Sequence, residues 1–316
     1  AAGNVSAASP ALAVTVDATG PAAPTGLDLT AAGDTGASST DNLTSKQNVT
    51  ITGQAEADSR VELLDGTTSL GTTNANASGA FSLDVTLAAG ARSITAKAID
   101  AAGNVGAASA ALVITVDGTP PAAPTGLDLA AADDTGSSNS DNVTSQASGL
   151  TITGQAEANA RVELFDGAAS IGTTTANATG AFSLDVTLAA GVRAITAKAT
   201  NAAGNVSAAS AALAVTIDAT GPAAPTSLDL AAVDDSGIDN ADNVTSQTTA
   251  LTITGQAEAN ARIELFDGTT SLGTTTANAS GAFSLDVTLA AGARSITAKA
   301  TDAAGNVSAA SSELAV

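Results

Sequence analysis

The chain repeats itself, with a period too long for a solenoid unit. The segment PAAPTGLDL begins at Pro21 and at Pro121 and returns as PAAPTSLDL at Pro222, so the period is 100 and then 101 residues. Residues 303–316 match residues 1–14 at 12 positions. A period near 100 is the size of an independent domain. Stacked repeats that cannot bury a core alone run to roughly 20–50 residues. The copies therefore read as beads: residues 1–17 as the last strand of a preceding repeat, then repeats at 18–117, 118–218 and 219–316, the third with its last strand cut short. The expectation is a segment of a longer array, in which near-identical copies add length rather than new chemistry.

Composition narrows the chemistry. There is no His, Cys, Met, Trp or Tyr, and Phe occurs five times. Without His or Cys, the usual nucleophile–base pairs and the usual zinc or iron ligands cannot be assembled. Carboxylates alone can run hydrolytic chemistry, but three near-identical copies argue against it, so the chain is read as no enzyme. With no cysteine there is no disulfide staple, and stability must come from an Ala, Val, Leu and Ile core or from a bound metal. The net charge is −21, from 31 acidic against 10 basic residues. That sign excludes nucleic acid as a natural partner. A heavily solvated acidic surface is the alternative use of such charge. No stretch approaches the roughly 20 apolar residues that span a bilayer, so this segment is not expected to insert into a membrane.

Period-two alternation sets the fold class. In GAFSLDVTL (79–87), Phe81, Leu83, Val85 and Leu87 share one face, while Ser82, Asp84 and Thr86 share the other. Similar short runs occupy 24–31, 48–57, 60–66, 69–75, 91–100 and 111–117, parted by turn signals such as Asp65-Gly66, Ser78-Gly79 and Ala89-Gly90. Seven short strands in one period predict an all-β fold: a tandem array of seven-stranded immunoglobulin-like sandwiches forming an extended rod. Pro pairs (Pro21/Pro24, Pro121/Pro124, Pro222/Pro225) mark the junctions and suit a stiff entry into an edge strand. The linkers DATGPAAP and DGTPPAAP are short and are expected to bury little apolar surface of their own.

Strand parity locates the acid. With strands A to G alternating in direction, the A–B loop lies at the same end as the close of strand G, and the next repeat's B–C and F–G loops face it. The A–B loops carry Asp34 and Asp41; Asp133, Asp134 and Asp141; and Asp234, Asp235, Asp239 and Asp242. Strand G closes with Asp17, Asp117 or Asp218. The F–G loops carry Asp100 and Asn104, Asn201 and Asn205, or Asp302 and Asn306, and the B–C corners carry Glu56, Glu157 or Glu258. Oxygen ligands from three segments thus converge on each junction. Such convergence is costly unless a cation neutralises it, and the ligand type suits Ca²⁺ better than Mg²⁺ or a transition metal. The competing reading makes the same residues ordinary turn formers that cap their own backbone. The Gly two residues after the first Asp, and the lack of a Glu at position 12, exclude an EF-hand.

The run TITGQAEA, RVELFDG, GAFSLDVTLAAG, ITAKATNAAGNVS and VTIDATGPAAP resembles the tandem bacterial Ig-like repeats of giant Bap-like and RTX-type biofilm adhesins, exported by type I secretion in Gram-negative bacteria. The resemblance covers the whole chain at the level of repeat class. It implies Ca²⁺ at the junctions, held by the Asp-rich A–B loop and the strand-G Asp, and an extracellular place at the bacterial cell surface. Two departures stand out: Asn201 where the sister loops have Asp100 and Asp302, and Gly33 where the others have Asp133 and Asp234. The leading functional expectation is an extender that projects a distal binding domain for adhesion, three sandwiches giving on the order of 120 Å. A second is repeats that themselves bind a surface or glycan, which the absence of Trp and Tyr disfavours. A third is a self-assembling filament or surface layer, with lateral or head-to-tail self-association through an unpaired strand. The partners expected first are neighbouring repeats of the same chain.

Overall fold

The computed structural model describes residues 2–316, and none of them is helical. By contacts the chain divides into two compact units: the chain up to Pro121 together with Thr200–Val206, and Ala122–Ala199 together with Ser207–Val316.

The first unit holds β1 (Thr25–Leu29), β2 (Leu43–Thr44), β3 (Asn48–Gln54), β4 (Arg60–Asp65), β5 (Thr68–Asn74), β6 (Ala80–Thr86), β7 (Gly90–Ile99) and β8 (Leu112–Val116). They form two sheets, β1-β3-β6 and β2-β8-β7-β4-β5. All pairings are antiparallel except β2 with β8, which is parallel. Alternation supplies the core: Val49 and Ile51 of β3, Val61 and Leu63 of β4, Phe81 and Val85 of β6, and Ile114 and Val116 of β8 all turn inward. The outward residues pair with one another, as Thr50 donates to Asp84 at 2.6 Å and Thr86 to Asn48 at 2.7 Å. A strand-interior glycine, Gly53, sits opposite Phe81 in the ladder, and a Cβ there would collide with the ring. The small residue makes room for the one aromatic of this core.

The second unit holds two more sandwiches. One contains β9 (Thr125–Leu129), β10 (Val143–Thr144), β11 (Ser148–Gln155), β12 (Arg161–Asp166), β13 (Ala169–Thr175), β14 (Ala181–Thr187), β15 (Gly191–Thr200) and β16 (Leu213–Ile217). Its sheets run β14-β11-β9 and β10-β16-β15-β12-β13. The other contains β17 (Thr226–Leu230), β18 (Leu251–Gln256), β19 (Arg262–Asp267), β20 (Thr270–Thr276), β21 (Ala282–Val287), β22 (Ser295–Thr301) and β23 (Leu314–Ala315), in sheets β17-β18-β21 and β20-β19-β22-β23. Each has its own buried cluster, centred on Phe182 in one and Phe283 in the other.

The seven expected strands per period are present, and three particulars differ from expectation. The two-residue β2 and β10 have no alternation to betray them; they exist because Thr44 and Thr144 are pinned against strand G, as described below. Both prolines of every junction pair are buried, contrary to the expectation of a linker with little buried apolar surface. A proline ring has apolar faces and no amide to satisfy, so it can be buried without stranding a donor. Residues 2–24 form no strand: Leu12, Val14 and Val16 are exposed, whereas Ile114 and Val116, one period on, are buried.

The separate cores generate a prediction. Phe182→Ala should destabilise its sandwich by about 3–5 kcal/mol, and scanning calorimetry should show one transition moving down while the rest of the trace stays in place. A uniform downward shift of the whole trace would contradict independent cores.

Candidate functional site

The A–B loop is fastened to the end of strand G by its own backbone. Beside β2 and β8, Thr115 donates its amide to the Asn42 carbonyl at 2.9 Å, and Asp117 donates to the Thr44 carbonyl at 2.8 Å. The fully buried Thr44 hydroxyl donates to the Gly33 carbonyl at 2.6 Å, so the loop folds back over itself. The next repeat reproduces this with Asp218 donating to Thr144 at 2.9 Å, and Thr144 to the Asp133 carbonyl at 2.7 Å. The acidic loop and the terminal Asp therefore share one end of the sandwich, as strand parity required.

Most of the expected ligands are occupied with their own loops. Asp34, Asp134 and Asp235 are buried and accept the amides of Asn42, Asn142 and Asn243 at 3.1, 3.0 and 3.0 Å. Asp133 and Asp234 accept the strand amides of Thr151 and Thr252, both at 2.9 Å, a bond for which Gly33 has no side chain. Asp41, Asp141, Asp239 and Asp242 each accept the amide two residues on, and so do Asp17, Asp117 and Asp218. These are the turn caps of the competing reading. Glu56, Glu157 and Glu258 are exposed, and their carboxylates take part in none of these bonds. Among the described residues, no three carboxylates gather into a ready-made metal cluster.

The F–G loops meet the preceding strand-G Asp in the same way each time. Asn104, Asn205 and Asn306 donate their side-chain amides to the backbone carbonyls of Asp17, Asp117 and Asp218, at 3.1, 2.7 and 2.7 Å. The residue four before each Asn folds the loop: Asp100, Asn201 and Asp302 accept the amides of Asn104, Asn205 and Asn306 at 2.8, 2.9 and 2.9 Å. The Asn104 side-chain amide holds the Asp100 carboxyl below the usual carboxylate range, against an opposing effect of burial and with help from the backbone amides of Asn104, Ala102 and Gly103.

A second contact was not foreseen from the sequence. Thr35 of the first A–B loop donates its hydroxyl to the Ala203 carbonyl at 2.6 Å, and Thr135 of the second donates to the Ala304 carbonyl at 2.7 Å. Beside them Gly36 and Gly136, at φ of +106° and +109°, lie so close to Ala202 and Ala303 that a Cβ would strike those carbonyls. Each pair lies within one compact unit. The signal in the sequence was the recurring Thr-Gly of DTG and its DSG variant.

The Ca²⁺ implied by the family resemblance can be tested against the donors present. Buried acceptors without partners remain at Asp34 Oδ1, Asn42 Oδ1 and Asp235 Oδ1, and an unsatisfied buried carboxylate oxygen favours a cation. At the later junction the acidic side chains are Asp218 and the buried Asp302, whose two oxygens accept the Asn306 backbone and side-chain amides, both at 2.9 Å. That donor set fits a hard divalent cation. At Asp117 both carboxylate oxygens already accept N–H donors, from Thr119 at 3.0 Å and from Asn201 at 3.2 Å.

Comparison with known proteins agrees with this architecture. The family described as bacterial Ig-like domain matches residues 21–118, 121–219 and 222–316. Exoglucanase B of Cellulomonas fimi is 31% identical over 312 residues, which are 96% of this chain; the chain spans only 26% of that protein's length. Among solved structures, a tetra-tandem repeat in the extending region of a large adhesion protein is 23% identical, covering 87% of this chain and 72% of its own, with a TM-score of 0.29. The BSP domain of a biofilm-associated protein is 12% identical, covering 96% of this chain and 67% of its own, with a TM-score of 0.23. The chain belongs to the bacterial Ig-like domain family, with three copies in tandem.

Proposed function

We propose that the chain is a non-catalytic spacer: a run of sandwiches whose junctions set the direction from each repeat to the next, in a cell-surface protein that carries an adhesive domain elsewhere. The observation that carries this is the repeated Thr-Gly contact, Thr35 and Gly36 on Ala202 and Ala203, then Thr135 and Gly136 on Ala303 and Ala304. One contact could be incidental, but the same contact at the same register in both compact units argues for selection of a fixed joint. Each junction also carries the Asn-to-Asp carbonyl bond, and net contributions of about 1 kcal/mol per hydrogen bond become useful together because buried prolines stiffen the link. The absence of Tyr and Trp disfavours a glycan site on these repeats. An extending region is the part of an adhesion protein that one structural relative represents, and this chain is read as serving that role at a bacterial surface.

Calcium is part of the proposal. When bound it would supply positive charge among carboxylates, held by Asp218 and Asp302 at the later junction, with Asp133, Asp134 and Asp141 adding negative charge from the loop fastened to strand G. The chain's own residues do the rest: Asn306 fixes the loop to Asp218, and Thr135 closes it from the side.

Two outcomes are expected. Deleting residues 118–218, one whole period, should leave a folded chain whose maximum dimension in small-angle scattering falls by about 40 Å, one sandwich length; an unchanged dimension would rule out additive spacing. Calorimetric titration with Ca²⁺ should show binding that Asp218→Ala removes, and chelator should lower the melting temperature by several degrees. Equal ion count and affinity in the variant would remove Asp218 from the site.

A further inference from the structure

We infer that Asn201 is a metal-free clamp, so that the junction it serves stays docked without Ca²⁺ while the junction served by Asp302 does not. This deepens the spacer reading above and rests on it.

Asn201 is buried, and its side chain works in two directions. Its oxygen accepts the Asn205 amide at 2.9 Å, which shapes its own loop. Its nitrogen donates to Asp117 Oδ2 at 3.2 Å and to the Thr119 carbonyl at 3.1 Å, which ties that loop to the linker after strand G. With the Asn205 bond to the Asp117 carbonyl, this loop's side chains make three hydrogen bonds to the end of strand G and its linker, all within one compact unit.

Asp302 holds the same place one period later and keeps the inward half of the arrangement, accepting the Asn306 amide at 2.9 Å. It has no donor for the outward half. Its second oxygen accepts the Asn306 side-chain amide at 2.9 Å, and of this loop's side chains Asn306 alone bonds to the end of strand G, at the Asp218 carbonyl. In the position that Asn201 occupies, beside Asp117 Oδ2 and the Thr119 carbonyl, a carboxylate has no proton to give, an arrangement that is unfavourable without a cation. A single exchange of O⁻ for NH₂ thus replaces a repulsion by two hydrogen bonds. The departure at Asn201 is a substitute for the metal.

Because the chain has no native cysteine, paired spin labels can report each joint separately in the full chain. One variant carries cysteines at the exposed Thr67 and Ala178, the other at the exposed Ala168 and Ala279. In excess chelator, pulsed dipolar spectroscopy should give a narrow distance distribution for the first pair and a broad one for the second, and Ca²⁺ should narrow only the second. Asn201→Asp should then broaden the first pair in chelator and make it Ca²⁺-responsive. That variant should fold, since Asp100 and Asp302 build the same loop with a carboxylate. A first pair that is narrow in Asn201→Asp with chelator, or broad in the unmodified chain, would overturn the clamp. A second pair that ignores Ca²⁺, with the first pair behaving as described, would instead overturn the calcium part of the spacer reading and leave the clamp standing.

Discussion

Everything at the repeat ends depends on a close approach of backbone to backbone. Gly36 and Gly136 have no Cβ, and that absence lets the A–B loop settle onto a neighbouring turn. Their positive φ is one that other residues reach only under strain. The approach would achieve little if the loop were free to move, and it is not free. The parallel pairing of β2 with β8 and the buried Thr44 hydroxyl hold the loop against the sandwich that carries it. On the proposed spacer role, a joint of this kind would transmit orientation because both of its halves are anchored to sheets.

The acidic residues then divide into two groups. Most are structural in the local sense: a carboxylate oxygen accepts an amide two or eight residues away and fixes a turn. Such bonds use one face of each carboxylate, and in several cases leave an oxygen unpaired. A smaller set, Asp17, Asp117, Asp218, Asp100 and Asp302, makes such local bonds too but lies where loops meet, and there the further partner decides the chemistry. An amide partner makes a direct bridge; a second carboxylate calls for a cation. The proposed calcium dependence rests on the second condition, in a chain whose net charge is −21.

Much of this was legible in the sequence. Alternation in GAFSLDVTL and TITGQ gave the strands, because a half-buried strand leaves a period-two mark. Counting strand directions placed Asp34 and Asp117 at one end, since antiparallel succession leaves no other arrangement. The short β2 left no mark, because two residues cannot show a period and its partner is distant in sequence. The role of Thr35 was hidden for a related reason: its acceptor, the Ala203 carbonyl, is a backbone group that any residue could provide. Asn201 was visible as a departure, but its meaning required the position of its nitrogen relative to Asp117 and Thr119.

The central claim is that the glycine contacts set the relation of successive repeats. Small-angle scattering of the unmodified chain and of the Gly36→Ala, Gly136→Ala double variant, both with Ca²⁺, tests it most directly. The account predicts that the variant gives the profile of flexibly linked folded domains, with its calorimetric transitions retained, while the unmodified chain gives that of a fixed arrangement. Superimposable profiles from the two proteins would contradict it.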